Sequence, residues 1–215
     1  MRSRSGKVRL KATAEELRSA NVLLDDVPPA RRLELAAIFG NARPVEVEVG
    51  PGKGAFLLRR ATRRPELNLL GVEWVRNYAW YAADRARRAG RGNVRLLCAD
   101  AQLAFASCLP QRSVQRIHVY IPDPWPKVRH HRRRLVTTAF LDAARRALCL
   151  GGWLGIVTDH EGYFRQMRMA LAAAVGLAPV RFLPQSQDWL VGSNFERKYA
   201  AGGRAFHAAA AIRWQ

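Results

Sequence analysis

The pattern of apolar and polar positions changes character near residue 40. Residues 1–12 alternate basic and small side chains and are expected to form a loose arm. Residues 13–41 read as one or two short helices, with Pro28-Pro29 opening the second and Gly40-Asn41 closing it. From 45 onward, short apolar and β-branched runs alternate with longer runs of helical period. Residues 45–49, 68–73, 93–98, 113–121 and 153–158 read as strands. Residues 55–62, 74–89, a short stretch from 101, 136–148 and 163–175 read as the helices between and after them. Residues 181–183 and 205–212 are expected to supply two last strands. Strands separated by helices form βαβ units, so the fold class is α/β, a mostly parallel sheet with helices on both faces.

In such sheets ligands bind outside the carboxyl ends of the strands. The residues just past the first five predicted strands are the loop 48–54, Glu73, Asp100, Asp123 and Asp159. Each strand end therefore carries an acid, in a chain with 17 Asp+Glu against 36 Lys+Arg. Gly50-x-Gly52-x-Gly54 lets the backbone turn tightly and approach a ligand. It matches neither a P-loop nor the dinucleotide fingerprint. Glu48, immediately before it, would repel a pyrophosphate, whereas a cationic ligand suits the position. S-adenosylmethionine carries a sulfonium and an ammonium and no phosphate. Glu73, about 20 residues further on, can accept both hydroxyls of an adenosine ribose whichever cofactor carries it. Asp100 can accept from an adenine amine. Each of these acids also precedes a helix, where capping is the alternative use. In Pro122-Asp123-Pro124-Trp125-Pro126, three prolines fix the backbone and hold a carboxylate and an aromatic rigidly, as a catalytic pocket requires.

Charge adds a partner to this picture. The formal net charge is +19, and only five of the 36 cations are Lys. Such an excess favours a polyanion, and nucleic acid in particular. Lys127, Arg129 and Arg132–Arg134, with His130 and His131 among them, adjoin the proposed pocket and suit phosphate contacts to a nucleic-acid substrate. The three cysteines form no CxxC pair, so neither a disulfide framework nor a zinc site is expected, and a reducing cytoplasm fits. The longest apolar stretch, 169–180, is short of the roughly 20 residues a membrane span needs. The N-terminus has no signal-peptide core. A soluble cytoplasmic protein is expected.

Several strings together are specific. They are Phe39-Gly40-Asn41 with Pro44, Glu48-Val49-Gly50-Pro51-Gly52-Lys53-Gly54, Gly71-Val72-Glu73, and Asp100-Ala101. Further along come Pro122-Asp123-Pro124-Trp125-Pro126-Lys127 with Arg129-His130-His131-Arg132-Arg133-Arg134, Thr158-Asp159 with Tyr163, and Ser193-Asn194-Phe195-Glu196-Arg197-Lys198. With them the chain resembles the bacterial tRNA (guanine-N7-)-methyltransferase family, the TrmB type, from about Ile38 to the C-terminus.

The resemblance implies a Rossmann-like class I S-adenosylmethionine-dependent methyltransferase fold, a seven-stranded sheet with an antiparallel last strand. It implies a methyltransferase domain over 38–215 behind a basic arm with short helices over 1–37. The implied reaction moves a methyl group from S-adenosylmethionine to N7 of guanine at position 46, in the variable loop of tRNA. The implied cofactor contacts are Glu48, Gly50, Gly52, Gly54, Glu73, Asp100 and Asp123, with Asp123 also the catalytic residue. The implied tRNA contacts are Lys127, Asp159, Ser193, Asn194, Phe195 and Glu196. No metal is expected, and the scaffold is compatible with a monomer or a homodimer. Val128 stands where a second Lys is common, and Ser193 replaces the usual Thr but keeps its hydroxyl. Two other readings compete. An NAD-linked dehydrogenase is opposed by Glu48, and a non-enzymatic RNA-binding domain leaves the ordered acids unexplained.

Overall fold

A computed structural model describes residues 10–25, 27–28, 31–182 and 206–215. Their elements run α1 (Ala14–Ser19), β1 (Leu23–Leu24), α2 (Leu35–Phe39), β2 (Val45–Val49), α3 (Ala55–Arg63), β3 (Asn68–Glu73) and α4 (Arg76–Arg88). They continue with β4 (Val94–Cys98), α5 (Ala101–Leu103), β5 (Val114–Tyr120), α6 (Thr138–Ala147), β6 (Leu148–Thr158), α7 (Glu161–Ala173), β7 (Leu177–Val180) and β8 (His207–Arg213). A wide turn, Ala104–Cys108, extends α5, and a 3₁₀ helix, Val128–Arg133, follows the proline-rich loop.

The strands form one sheet in the order β1-β4-β3-β2-β5-β6-β8-β7. β1 to β6 pair in parallel, and β8 runs antiparallel to both of its neighbours. Among the described residues the sheet therefore has eight strands rather than the expected seven. The extra one is β1, whose two residues pair with Leu96 and Leu97 at the β4 edge. A second correction concerns β7. It occupies Leu177–Val180 instead of 181–183, because Gly176, with φ 81°, ends the turn after α7 and starts the strand at once. Leu183 lies outside the described residues.

Alternation along the strands sorts side chains into two layers. Val47, Val49, Leu70, Val72, Ile117, Val119, Leu154 and Ile156 pack with residues of α2, α6 and α7 on one face. On the other, Leu69, Val94 and Leu96 pack with Leu57 of α3, Ala82, Ala83 and Ala86 of α4, and Leu17 of α1. The N-terminal segment is tied to this second layer. Thr13 and Glu16 form a reciprocal capping box on α1. The Lys11 amide donates to the fully buried Asp84 at 3.1 Å, and Trp80 Nε1 donates to Asp25 at 2.9 Å.

The centre of that second face is polar. Glu46 is fully buried, and Arg60 of α3 meets it with two hydrogen bonds of 2.7 and 2.8 Å. His118 of β5 lies 3.0 Å from the same carboxylate through Nε2, and its Nδ1 lies 2.7 Å from the Tyr120 hydroxyl. Burial keeps His118 below its ordinary pKa, although Glu46 pulls the other way. The neutral ring then donates from Nε2 to Glu46 and accepts at Nδ1 from Tyr120. Burial alone would raise the Glu46 carboxyl, but its bonds to His118 and Arg60 outweigh this and hold it at about 2. Phe56 packs against both the His118 and Tyr120 rings at 5.0 Å.

Beyond this cluster the Trp153 indole lies across Gly155 on the same strand. A Cβ at Gly155 would sit 1.8 Å from the ring, which Phe182 meets edge-on at 5.2 Å and the Arg116 guanidinium caps at 5.7 Å.

Two outcomes are expected. Gly155→Ala must expel Trp153 from its seat and should destabilise the fold by about 1–3 kcal/mol in urea unfolding. Glu46→Gln leaves the half-buried Arg60 without its counter-charge and should cost up to about 3–5 kcal/mol. Because the folded Glu46 pKa lies below the ordinary 4.5, its contribution is complete above about pH 4.5 and is lost as pH falls toward 2. Between pH 5 and pH 3 the wild-type urea midpoint should therefore fall further than that of the Gln variant.

Candidate active site

The carboxyl ends of β2, β3 and β5 open onto one cleft of about 950 Å³. Its floor is the loop after β2. Gly50, Gly52 and Gly54 have φ of 68°, 55° and 72°, a left-handed run that other residues adopt only with strain. No atom lies within 4 Å of where a Cβ would stand on Gly50 or Gly52, so the backbone there faces open space. Gly54 serves a different contact. It caps α3, and a Cβ on it would lie 3.0 Å from Ala82 Cβ, so its bareness lets α3 approach α4. Gly71 is needed for the same kind of reason. A Cβ there would sit 2.7 Å from Leu96 and 3.0 Å from Pro51, which the Gly loop lays over β3.

Glu73 ties this loop to the end of β3. One carboxylate oxygen accepts from the Gly52 amide at 2.9 Å and the other from the Val75 amide at 2.8 Å. The Trp74 amide is a further donor to this carboxylate. Burial raises the Glu73 carboxyl and the charge of Asp123 adds to this, against the backbone amides that lower it. Glu48 is the more perturbed acid. It is buried, its Oε2 has no hydrogen-bond partner, and burial together with the Glu73 charge pushes it up to about 8. A buried carboxylate oxygen without a donor is costly unless a ligand supplies one. Asp100 is the N-cap of α5, its Oδ1 accepting from the Leu103 amide at 3.0 Å, and it lines the cleft as well.

The fourth acid, Asp123, stands exposed on the cleft wall beside Ile121, Pro122 and Trp125. Ile121 and Trp125, which bracket it, have positive φ of 50° and 43°. For a β-branched and an aromatic residue this costs on the order of 1–3 kcal/mol each. The fold holds the strained loop in place. Ile121 N donates to Val157 O at 2.8 Å, and Arg134 Nε donates to Pro124 O at 2.9 Å. Arg134 also donates to Gln166 at 2.6 Å and lies 4.8 Å over the Tyr163 ring, whose hydroxyl accepts from Val136 N at 2.9 Å. Arg134 is thus 3% exposed and braces the loop, which corrects its place in the expected phosphate-binding run.

Of the residues expected in the site, Glu48, Gly50, Gly52, Glu73, Asp100 and Asp123 all line the cleft. Gly54, Lys127 and Asp159 do not; Lys127 precedes the 3₁₀ helix and Asp159 follows β6. Ser193, Asn194, Phe195 and Glu196 lie outside the described residues. The cleft also takes in residues to which the sequence assigned no cofactor pocket, among them Tyr120, Arg132 and Arg133. Tyr120 had no signal beyond its place at the strand end, while the arginines were visible only as charge. Among the described residues, no group of three His, Cys, Asp or Glu side chains could hold a metal ion, and no helix is long and apolar enough to cross a membrane.

The chain is similar to known proteins over most of its length. The chain matches the family described as "Putative methyltransferase" over residues 42–208. A tRNA (guanine-N(7)-)-methyltransferase of Aliivibrio fischeri (strain MJ11) is 40% identical over 160 residues, spanning 73% of this chain and 67% of that protein. A relative of the same description from Vibrio cholerae serotype O1 is 34% identical over 188 residues, 85% of this chain and 77% of that one. The solved 30S ribosomal A1408 methyltransferase from an uncultured bacterium shares the fold, with a TM-score of 0.62, 13% identity, and coverage of 89% of this chain and 98% of that one. With 34–40% identity to these relatives across most of its length, the chain belongs to the bacterial tRNA (guanine-N7-)-methyltransferase family.

Proposed function

We propose that this protein transfers a methyl group from S-adenosylmethionine to N7 of a guanine in tRNA, the guanine of the variable loop. The observation that carries the reading is the convergence of Glu48, Glu73, Asp100 and Asp123 on one cleft beside an arginine-rich helix. The relatives are tRNA (guanine-N(7)-)-methyltransferases, and the cleft's chemistry fits that reaction. The unpaired Glu48 oxygen and the bare Gly50–Gly52 backbone fit a cationic ligand laid over the loop. Glu48 would meet the positive end of the cofactor, Glu73 its ribose and Asp100 its base. S-adenosylmethionine supplies a methyl group already activated on a sulfonium.

Guanine N7 has a free lone pair and no proton to remove, so no side chain needs to act as a base. The chain's task is to position the ring and to stabilise the positive charge that grows on it. Asp123 is rigidly held at the cleft wall for this second purpose. Lys127, Asp159 and the segment 193–196 are the proposed tRNA contacts, and Arg129, with Arg132 at the cleft wall, adds phosphate contacts beside the base pocket. Incubating the protein with tRNA and S-adenosylmethionine, then analysing nucleosides by mass spectrometry, should reveal 7-methylguanosine mapped to the variable loop. Absence of that nucleoside overturns the reading.

Three outcomes follow. Asp123→Asn keeps the shape and removes the charge, so single-turnover methyl transfer should fall by about 10²–10³-fold while urea stability is unchanged. Glu48 titrates near 8, and only its ionised form attracts a cation. Affinity for S-adenosylhomocysteine should therefore rise with pH up to about 8, by up to about tenfold per unit below that. Glu48→Gln should bind more weakly at pH 9 and lose this part of the pH dependence in calorimetric titrations. At saturating cofactor the chemical step itself should stay nearly flat from pH 7 to 9, since no base is involved.

A further inference from the structure

Trp125 is a cleft residue whose geometry the proposed cofactor contacts leave unexplained. Its backbone is left-handed, with φ 43°, in a loop that prolines on both sides stiffen. The Arg133 guanidinium lies 4.9 Å from its ring centroid, and His130 meets it at 5.9 Å with the planes 84° apart. The ring is thus engaged from one direction by a cation and at one side by an imidazole. It also forms part of the cleft wall with Asp123, Arg132 and Arg133. Strain of this kind persists only where the surroundings enforce it, and it concentrates at ligand clamps. Here the contact that holds the backbone is Arg134 to the Pro124 carbonyl, while Arg133 lies over the indole itself.

We propose that Trp125 is the platform on which the target guanine stacks once it has left its place in the tRNA. This rests on the function proposed above. A base taken out of its stack loses its neighbours, and enzymes that act on such bases replace them with aromatic or apolar side chains. Stacking on an indole fixes the plane of the purine. Transfer to N7 is an in-plane attack along a lone pair, so fixing that plane aims the nucleophile. Arg133 holds the indole from turning to follow the base. Asp123, two residues earlier in the same loop, keeps the charge complement beside the ring. The order of residues thus couples the plane of the base to the carboxylate that stabilises its product charge.

The test compares Trp125→Ala and Trp125→Phe with wild type in full-length protein, using three readouts. Single-turnover methyl transfer should fall by about 10- to 100-fold in the Ala variant. The Phe variant should recover most of that loss, within about fivefold of wild type, since a smaller ring still stacks. Calorimetric affinity for S-adenosylhomocysteine should change by less than about twofold in both variants, because the proposed partner is the base. The third readout needs no methyl transfer. A tRNA carrying 2-aminopurine in place of the variable-loop guanine should be quenched on binding wild type and should brighten on binding the Ala variant.

A parallel loss of cofactor affinity would make Trp125 a wall of the cofactor site and overturn the proposal. Equal impairment of the Ala and Phe variants with lowered unfolding midpoints would reduce it to a loop brace. Unchanged rates with unchanged quenching would place the base elsewhere. If wild type makes no 7-methylguanosine yet quenches 2-aminopurine through Trp125, the functional reading fails and the stacking platform stands. If methylation is robust and the quenching ignores Trp125, the platform alone fails.

Discussion

A full negative charge buried in the middle of a sheet must be paired, and much of this structure is arranged around that requirement. Removing an ion from water costs several kcal/mol, which only close, well-oriented partners offset. Glu46 obtains them from two directions, Arg60 on α3 and His118 on β5. The first partner fixes α3 over β2, and α3 begins where the Gly loop ends. The second reaches on to Tyr120, the last residue of β5 before the proline-rich loop. One carboxylate therefore sets the position of both loops that build the cleft, without touching the cleft itself.

The division between what the sequence reveals and what it hides follows from this arrangement. The strand 68–73 was legible to the residue, and the acids at strand ends announced the cleft. The local pattern sufficed because each strand end combines an apolar run with an immediate polar stop. Val45-Glu46-Val47-Glu48-Val49, by contrast, has the alternation of a half-exposed strand, yet all five residues are buried. Glu46 on its polar face is covered by Arg60 and His118, partners 14 and 72 residues away. Pairing at that distance leaves no trace in local period. The two-residue β1 was hidden for a related reason, since Leu23 and Leu24 are strand only through Leu96 and Leu97. In the apolar run 169–180, hydrophobicity did not mark the exchange of helix for strand at Gly176.

The arginine run after the proline-rich loop shows how composition conceals different uses of one side chain. Arg134 is buried and braces the backbone of the loop. Arg133 caps an indole at the cleft wall. Arg129 stands exposed. A guanidinium serves all three because its planar fork donates along its edges and stacks on its faces. Lysine does neither as well, which suits a chain with only five of them. Much of the excess positive charge is therefore outward-facing, but part of it is internal scaffolding.

The two ends of the sheet carry one more consequence. Among the described residues, one edge is β1, two residues long, and the other β7, four residues long with Pro179 in it. A proline cannot donate to a further strand, and two residues offer almost no ladder to extend. Central strands this rich in Val, Leu and Ile would otherwise template edge-to-edge growth between copies. Short fragments of this kind at the rim offer a strongly apolar sheet little to extend.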